Sequence, residues 1–246
     1  MSIPIQVTED AVHLPISVAI LAGGTATRLR PLSNALPKSL VSVAGEPFIA
    51  HQLRLLRRER IERVVLCVGH LGEMIQGFVG DGDRFGLKLA YSFDGYRLLG
   101  TGGALRQALP LLGGVFFVLY GDSYLDIPFA PVLGAFQHSG MPALMTIFRN
   151  EGRWDTSNVV FNGTRVVRHD KRTPTPDMHY IDYGLGILTR QTLAEWPPTV
   201  PFDLAEVYAA LATKGQLAGY EVTQRFYEIG TLEGLAAADA YLRKRL

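Results

Sequence analysis

Two glycines, an arginine and a lysine follow the β-branched run Ile16 to Ile20 in LAGGTATRLRPLSNALPKSL, residues 21–40. A polyphosphate needs backbone that can approach closely and turn its N–H groups inward, with cations to neutralise the outer oxygens. Gly23 and Gly24 meet the first need, and Arg28 and Lys38 the second. The pattern is neither the P-loop GxxxxGK[ST] nor the dinucleotide fingerprint GxGxxG, and the absence of the latter after the first strand weighs against a nicotinamide-dependent dehydrogenase. Two further places carry chemistry. Asp122, in Tyr120-Gly121-Asp122, ends an apolar run and could hold a divalent cation against a phosphate, because Mg²⁺ takes oxygen ligands, commonly one or two carboxylates plus phosphate oxygens. Glu228, in FYEIGT, is a second carboxylate placed after a strand and before a helix. In Leu99-Gly100-Thr101-Gly102-Gly103-Ala104, small residues before a helix would let a flat base lie against the backbone.

These groups must be brought together by the elements between them. Short apolar runs alternate with amphipathic stretches through the first half: strands over 16–21, 64–68, 87–93 and 115–120, and helices over 47–60, 72–79 and 103–112. That alternation predicts an α/β fold with a mostly parallel sheet wound on both faces, where ligands sit beyond the carboxyl ends of the strands. In the helix near residue 50, Phe48, Ile49, Leu53 and Leu56 mark an apolar face, and Arg54, Arg57, Arg58 and Arg60 read as a solvated one. Beyond Tyr120 the pattern changes. It predicts a helix over 129–138, a strand over 143–149, a hairpin over 158–170 turning at Asn162-Gly163, a helix over 203–214 opened by an Asp203/Glu206 capping box, a strand over 220–229 and a helix over 231–245. The expected organisation is an N-terminal extension (1–14), a nucleotide-binding half (15–122) and an acceptor half (123–246) of one body.

The 246 residues, 48% of them hydrophobic, allow a sizeable core. A formal charge of +1 gives no global attraction to nucleic acid or to an anionic membrane, so neither is an expected partner. The single cysteine, Cys67, lies in an apolar run and reads as a buried hydrophobe. No stretch reaches the roughly 20 apolar residues of a membrane span, and residues 1–14 lack the features of a signal peptide, so the expected location is cytoplasmic. Homo-oligomerisation is left open.

The segments LAGGTATRLRP, LPKSLVSV and AGEP resemble the signature of the sugar-1-phosphate nucleotidyltransferases, commonly written LAxGxGTRLxPxTxxxPKxLxPVxGxP. The resemblance implies a Rossmann-like, mostly parallel (mixed) sheet with a smaller β-rich part for the sugar. It implies nucleotide contacts from Leu21, Ala22, Gly23, Gly24, Thr25, Arg28, Gly100, Thr101, Gly102 and Gly103, with Arg28 and Lys38 catalytic and Asp122 and Glu228 the ligands of Mg²⁺. Asp170, Lys171, Asp182, Tyr183 and Gly184 stand where the family holds the sugar and its phosphate. Glu228 replaces the usual Asp, Asp182 the usual Asn, and Ala26 a common Gly. The implied reaction joins a sugar 1-phosphate to a nucleoside triphosphate, releasing pyrophosphate. The short chain and LGTGGAL look like the heptose- or mannose-1-phosphate guanylyltransferases, which favours GTP; the N-acetylmuramate-1-phosphate uridylyltransferases, which use UTP, are the alternative. A non-catalytic nucleotide sensor is the competing reading from another class.

Overall fold

The computed structural model describes residues 16–24, 36–198 and 200–245. Residues 1–14, Thr25, Ala26 and Arg28 lie outside them. In chain order the strands are β1 (Ser17–Leu21), β2 (Ser42–Val43), β3 (Glu46–Pro47), β4 (Arg63–Val68), β5 (Lys88–Phe93), β6 (Val115–Tyr120), β7 (Ser123–Tyr124), β8 (Ala143–Arg149), β9 (Val159–Phe161), β10 (Val166–His169), β11 (Tyr180–Thr189), β12 (Leu217–Val222) and β13 (Tyr227–Glu228). The helices are α1 (Phe48–Arg58), α2 (Gly72–Val79), α3 (Gly100–Ala108), α4 (Phe129–Ser139), α5 (Arg190–Ala194), α6 (Leu204–Thr213) and α7 (Leu232–Arg243).

One nine-stranded sheet runs β10-β9-β11-β6-β1-β4-β5, with β8 and β12 branching from β11. β6, β1, β4 and β5 are parallel, while β11 is antiparallel to both β6 and β8, so the sheet is mixed. Side chains alternate across it as a strand's period of two requires. Val18, Ile20, Leu66, Phe117 and Leu119 pack with Ile49 and Leu53 of α1, Ile75 of α2 and Phe129 of α4. Ala19, Leu21, Val65, Phe116 and Val118 face the other way, toward Leu105 of α3 and Leu204 and Val207 of α6. Helices therefore cover both faces, and every residue of β1 is buried. A third apolar cluster, with Phe48, Tyr124, Ile229 and Leu242, seats α7 over the β2–β3 hairpin.

Several elements differ from the sequence expectation for physical reasons. The long strand β11 was unforeseen because Asp182, Gly184 and Gly186 break its apolar pattern; its register against β8 slips between Asp182 and Gly186, a bulge with Gly184 at φ +101°. The stretch expected as a strand over 220–229 divides: β12 pairs in parallel with β8, whereas β13 leaves the sheet to pair with β7. α3 begins at Gly100 rather than 103 and ends in a 3-10 turn over Leu109–Leu111 that contains Pro110. The arginine face of α1 is exposed but paired: Arg54 grips Glu46, and Arg58 grips Asp126. The hairpin at Asn162-Gly163 and the Asp203/Glu206 capping box form as read.

β1 and β6 run side by side to their ends, where Gly121 N donates to Leu21 O at 2.9 Å. A Cβ at Gly121 would lie 2.7 Å from Leu21 O and 3.0 Å from the Ala22 Cα, both backbone atoms that cannot turn aside. Gly121→Ala is expected to cost about 1–3 kcal/mol of stability by urea denaturation. Gly24→Ala, where a Cβ meets nothing within 4 Å, should cost less than about 1 kcal/mol.

Candidate functional site

A cavity of about 440 Å³ opens beyond the ends of β1, β4 and β6, the place where a parallel sheet binds its ligands. Its floor is the backbone from Leu21 to Gly24, with Gly100, Thr101, Tyr120 and Gly121 around it. Gly23 is required by its neighbour: a Cβ there would lie 3.1 Å from Gly69 N, and one on Gly69 would lie 2.9 Å from Gly23 O. Gly24 faces open space and is free to approach a ligand.

Gly102 and Gly103 have a packing role. Both N–H groups donate to the Phe202 carbonyl, at 3.0 and 3.2 Å, and a Cβ on Gly102 would run into the Phe202 ring. Both glycines are buried and stay outside the cavity lining. Gly102 is glycine because α3 and the chain entering α6 press together, whereas a Cβ on Gly103 would meet the Leu99 Cβ at 3.0 Å. Thr101 tightens the same contact, accepting from Leu204 N at 2.8 Å while its hydroxyl reaches Asp203.

Asp122 follows β6 after Gly121 and is brought to Glu228 by backbone pairing. Ser123 of β7 lies opposite Glu228 of β13, and Ile229 N donates to Asp122 O at 2.9 Å. The Lys38 ammonium sits 2.6 Å from Asp122 Oδ2. A Cβ on Gly230 would contact both Lys38 Nζ at 3.4 Å and Glu228 Oε1 at 3.8 Å, so lysine and glutamate flank the same backbone. The two carboxylates brought together by this pairing could hold a hard cation that completes its shell with phosphate and water, the Lys38 ammonium giving up its place on Asp122.

A second cavity, of about 370 Å³, shares Tyr120, Asp122, Asp155 and Glu228 with the first. Here Lys171 lies 3.3 Å from Asp182 Oδ2, with its ammonium 5.5 Å from the centre of the Tyr120 ring. The bulge in β11 aims Asp182, whose Oδ1 accepts from Gly184 N at 3.0 Å. Two expected sugar contacts also have structural roles. The Asp170 carboxylate caps its own loop, accepting from Arg172 N and Thr173 N at 2.8 and 2.9 Å; these bonds hold its pKa down, and it borders a third cavity instead. Tyr183 is 2% exposed and its ring packs between Phe148 and Phe226 at the edge of the cavity.

Three residues escaped the sequence reading. Tyr120 borders all three cavities; burial, then the charges of Asp182, Asp122 and Asp203, push its pKa up and keep its hydroxyl a donor to Asp182. Gln52 is fully buried and Nε2 donates to Tyr120 O at 3.0 Å and Ser123 O at 2.8 Å, bracing the turn that carries Asp122. Its signal was a lone amide on the apolar face of α1. Asp155, in the loop between β8 and β9, left no signal in the sequence.

The profile of the nucleotidyl transferase family matches residues 17–158. The chain is 42% identical to an N-acetylmuramate alpha-1-phosphate uridylyltransferase from Neisseria meningitidis over 111 residues, 45% of this chain and 48% of that protein. It is 28% identical to the mannose-1-phosphate guanylyltransferase catalytic subunit beta of Xenopus tropicalis over 217 residues, 86% of this chain and 60% of that protein. The matches thus span about half to three fifths of these relatives' lengths. In fold it is similar to HddC from Yersinia pseudotuberculosis complexed with GMP-PN, with a TM-score of 0.77 and 22% identity over 92% of this chain and 99% of that one.

Cys67 lines the first cavity yet is 1% exposed, and burial, helped by the Asp94 charge, pushes its thiol up to about 12. The thiolate is the reactive form, so a folded sample is expected to resist iodoacetamide between pH 7 and 9 and to be alkylated once unfolded in urea. Mass spectrometry of the intact protein reads both states; rapid labelling of the folded chain at pH 7 would contradict the assigned burial.

Proposed function

We propose that this chain, which belongs to the nucleotidyl transferase family, joins a sugar 1-phosphate to a nucleoside triphosphate and releases pyrophosphate. The observation that carries the reading is the shared border of the two cavities. Backbone from Leu21 to Gly24 opens on one side and the Lys171–Asp182 pair on the other, with Asp122, Glu228 and Tyr120 between them. A site for nucleotide and a site for sugar phosphate meeting at two carboxylates is the arrangement that an in-line displacement at the α-phosphorus needs.

In that displacement a phosphate oxygen of the sugar 1-phosphate forms the new bond to the α-phosphorus. The bond from the α-phosphorus to the bridging oxygen of the β-phosphate breaks, and pyrophosphate leaves with that electron pair. No side-chain nucleophile and no proton transfer are required, so the protein's part is positioning and charge neutralisation. Lys38, beside Asp122, meets the α-phosphate. Lys171 holds the acceptor phosphate, and Asp182 fixes Lys171 and accepts from sugar hydroxyls. Arg28, outside the described residues, is assigned to the triphosphate and the departing pyrophosphate. Mg²⁺ on Asp122 and Glu228 would draw charge from the α-phosphate oxygens.

GTP is the proposed donor, supported by the likeness to the mannose-1-phosphate guanylyltransferase and to HddC complexed with GMP-PN. UTP with N-acetylmuramate 1-phosphate is the alternative that the Neisseria relative supports. Pyrophosphate release is to be measured with each of four nucleoside triphosphates against hexose and heptose 1-phosphates and N-acetylmuramate 1-phosphate, and release with GTP and a neutral sugar is expected. Nucleotide binding with no release under any pairing would favour a sensor.

Lys38→Ala is expected to lower kcat by about 10²–10³-fold with the fold retained. Asp122→Asn should lose activity together with the response to added Mg²⁺. Full turnover in either variant would remove that residue from the chemistry.

A further inference from the structure

Lys38 and Glu228 reach the site from opposite ends of the chain, and one helix touches the supports of both. Lys38 opens a 3-10 turn, Lys38–Leu40, whose first carbonyl accepts from Val41 N at 3.1 Å. Val41 O accepts in turn from Phe48 N at 3.0 Å, which ties the lysine's turn to the β2–β3 hairpin and the start of α1. Glu228 ends β13, and α7 begins soon after at Leu232. The first turn of α7 rests on the glutamate's own backbone, where a Cβ on Gly234 would run into Glu228 O. Further along, Ala238 and Leu242 pack with Val41, Val43, Ala44 and Ile229 in one apolar cluster. The helix is a strut between the segment after Lys38 and the segment after Glu228.

The polar anchor of this strut is Asp239. Its Oδ1 accepts from Ala44 N at 2.6 Å, while Oδ2 accepts from Arg243 Nε at 2.6 Å. Ala44 and Gly45 form the turn between β2 and β3, with φ of +50° and +91°. Such a turn suits glycine at both places, but an alanine there crowds its Cβ against the carbonyl oxygen. Ala44 therefore does not favour this turn by itself. The charge-assisted bond from its N–H to Asp239 does, and it fixes the hairpin on α7.

We propose that Asp239 is a positioning residue for the transfer step: by fixing the β2–β3 turn on α7 it sets how Lys38 and Glu228 stand to each other, and so how the ammonium is aimed at the reacting phosphate. This rests on the transfer reading above. The two groups flank Gly230, where a Cβ would meet both, so a small shift of the hairpin alters their spacing. A misplacement of about 1 Å can cost on the order of 10²-fold in rate even when its cause lies away from the chemistry.

The test is kcat for pyrophosphate release, measured with the triphosphate and sugar 1-phosphate that support release, at saturating substrate and Mg²⁺, on samples whose urea midpoints show them folded. Asp239→Ala is expected to lower kcat about tenfold, and Asp239→Asn, whose amide oxygen still accepts from Ala44 N, to stay within about twofold of the native chain. In a Lys38→Ala background Asp239→Ala should lower kcat by less than about threefold, since a residue acting through Lys38 has little left to act on; a merely stabilising residue would cost the same in both backgrounds. Asp239→Glu keeps the charge and lengthens the arm by a methylene, so it is expected to lower kcat about fivefold, and it decides the question if Asp239→Ala does not fold. Native kcat in the Ala or Glu variant, an Asn variant as slow as the Ala variant, or equal losses in the two backgrounds overturns the inference and leaves the transfer reading standing. A native chain that releases no pyrophosphate with any triphosphate and any sugar 1-phosphate overturns the transfer reading, and this inference with it.

Discussion

Everything at the site depends on the parallel pairing of β1 with β6, held to its last residue by Gly121 against the Leu21 carbonyl. Because the two strands end level, the glycine backbone after β1 and the carboxylate after β6 emerge side by side at one edge of the sheet. A side chain at Gly121 would wedge the strand ends apart at the point where Ala22 and Asp122 diverge. Gln52 secures the same turn from below, spending its buried amide on the two carbonyls that bracket Gly121-Asp122. Precision at a phosphate site follows from holding backbone, since a side chain can be no better placed than the strand end that carries it.

The local electrostatics follow from this crowding. Acidic groups are gathered from four separate stretches of chain, and each of the two lysines among them is set against a carboxylate: Lys38 on Asp122, Lys171 on Asp182. Like charges brought together in a half-buried space are costly unless such counter-charges are present. The lysines therefore keep the cluster foldable.

Sequence alone revealed the parts of the molecule where one residue type has one use. The β-branched run, Gly23-Gly24, Lys38 and Asp122 were readable because a strand end followed by glycine, cation and acid has few structural alternatives. The helices and the parallel strands were readable from periodicity. The packing role of Gly102 was hidden because a small residue that admits a ligand and one that admits a neighbouring ring look identical in a sequence. β11 was hidden by its own bulge, and Asp170 by the ambiguity of an aspartate that can serve a turn as readily as a substrate. Gln52 acts through contacts more than 60 residues away in the chain, and Asp155 reaches the site only as part of a cavity wall, neither of which a local pattern records.

The interlocking of α3 with α6 has a consequence for how anions are held. A helix start normally offers unpaired N–H groups and the positive end of its dipole. At α3 two of those donors are already taken by the Phe202 carbonyl, and Thr101 is engaged in capping the other helix. Two of the helix's first four N–H groups are thus spent inside the protein, while Gly100 and Thr101 border the first cavity. The two helices start from a common knot, and a ligand that presses on one will move both.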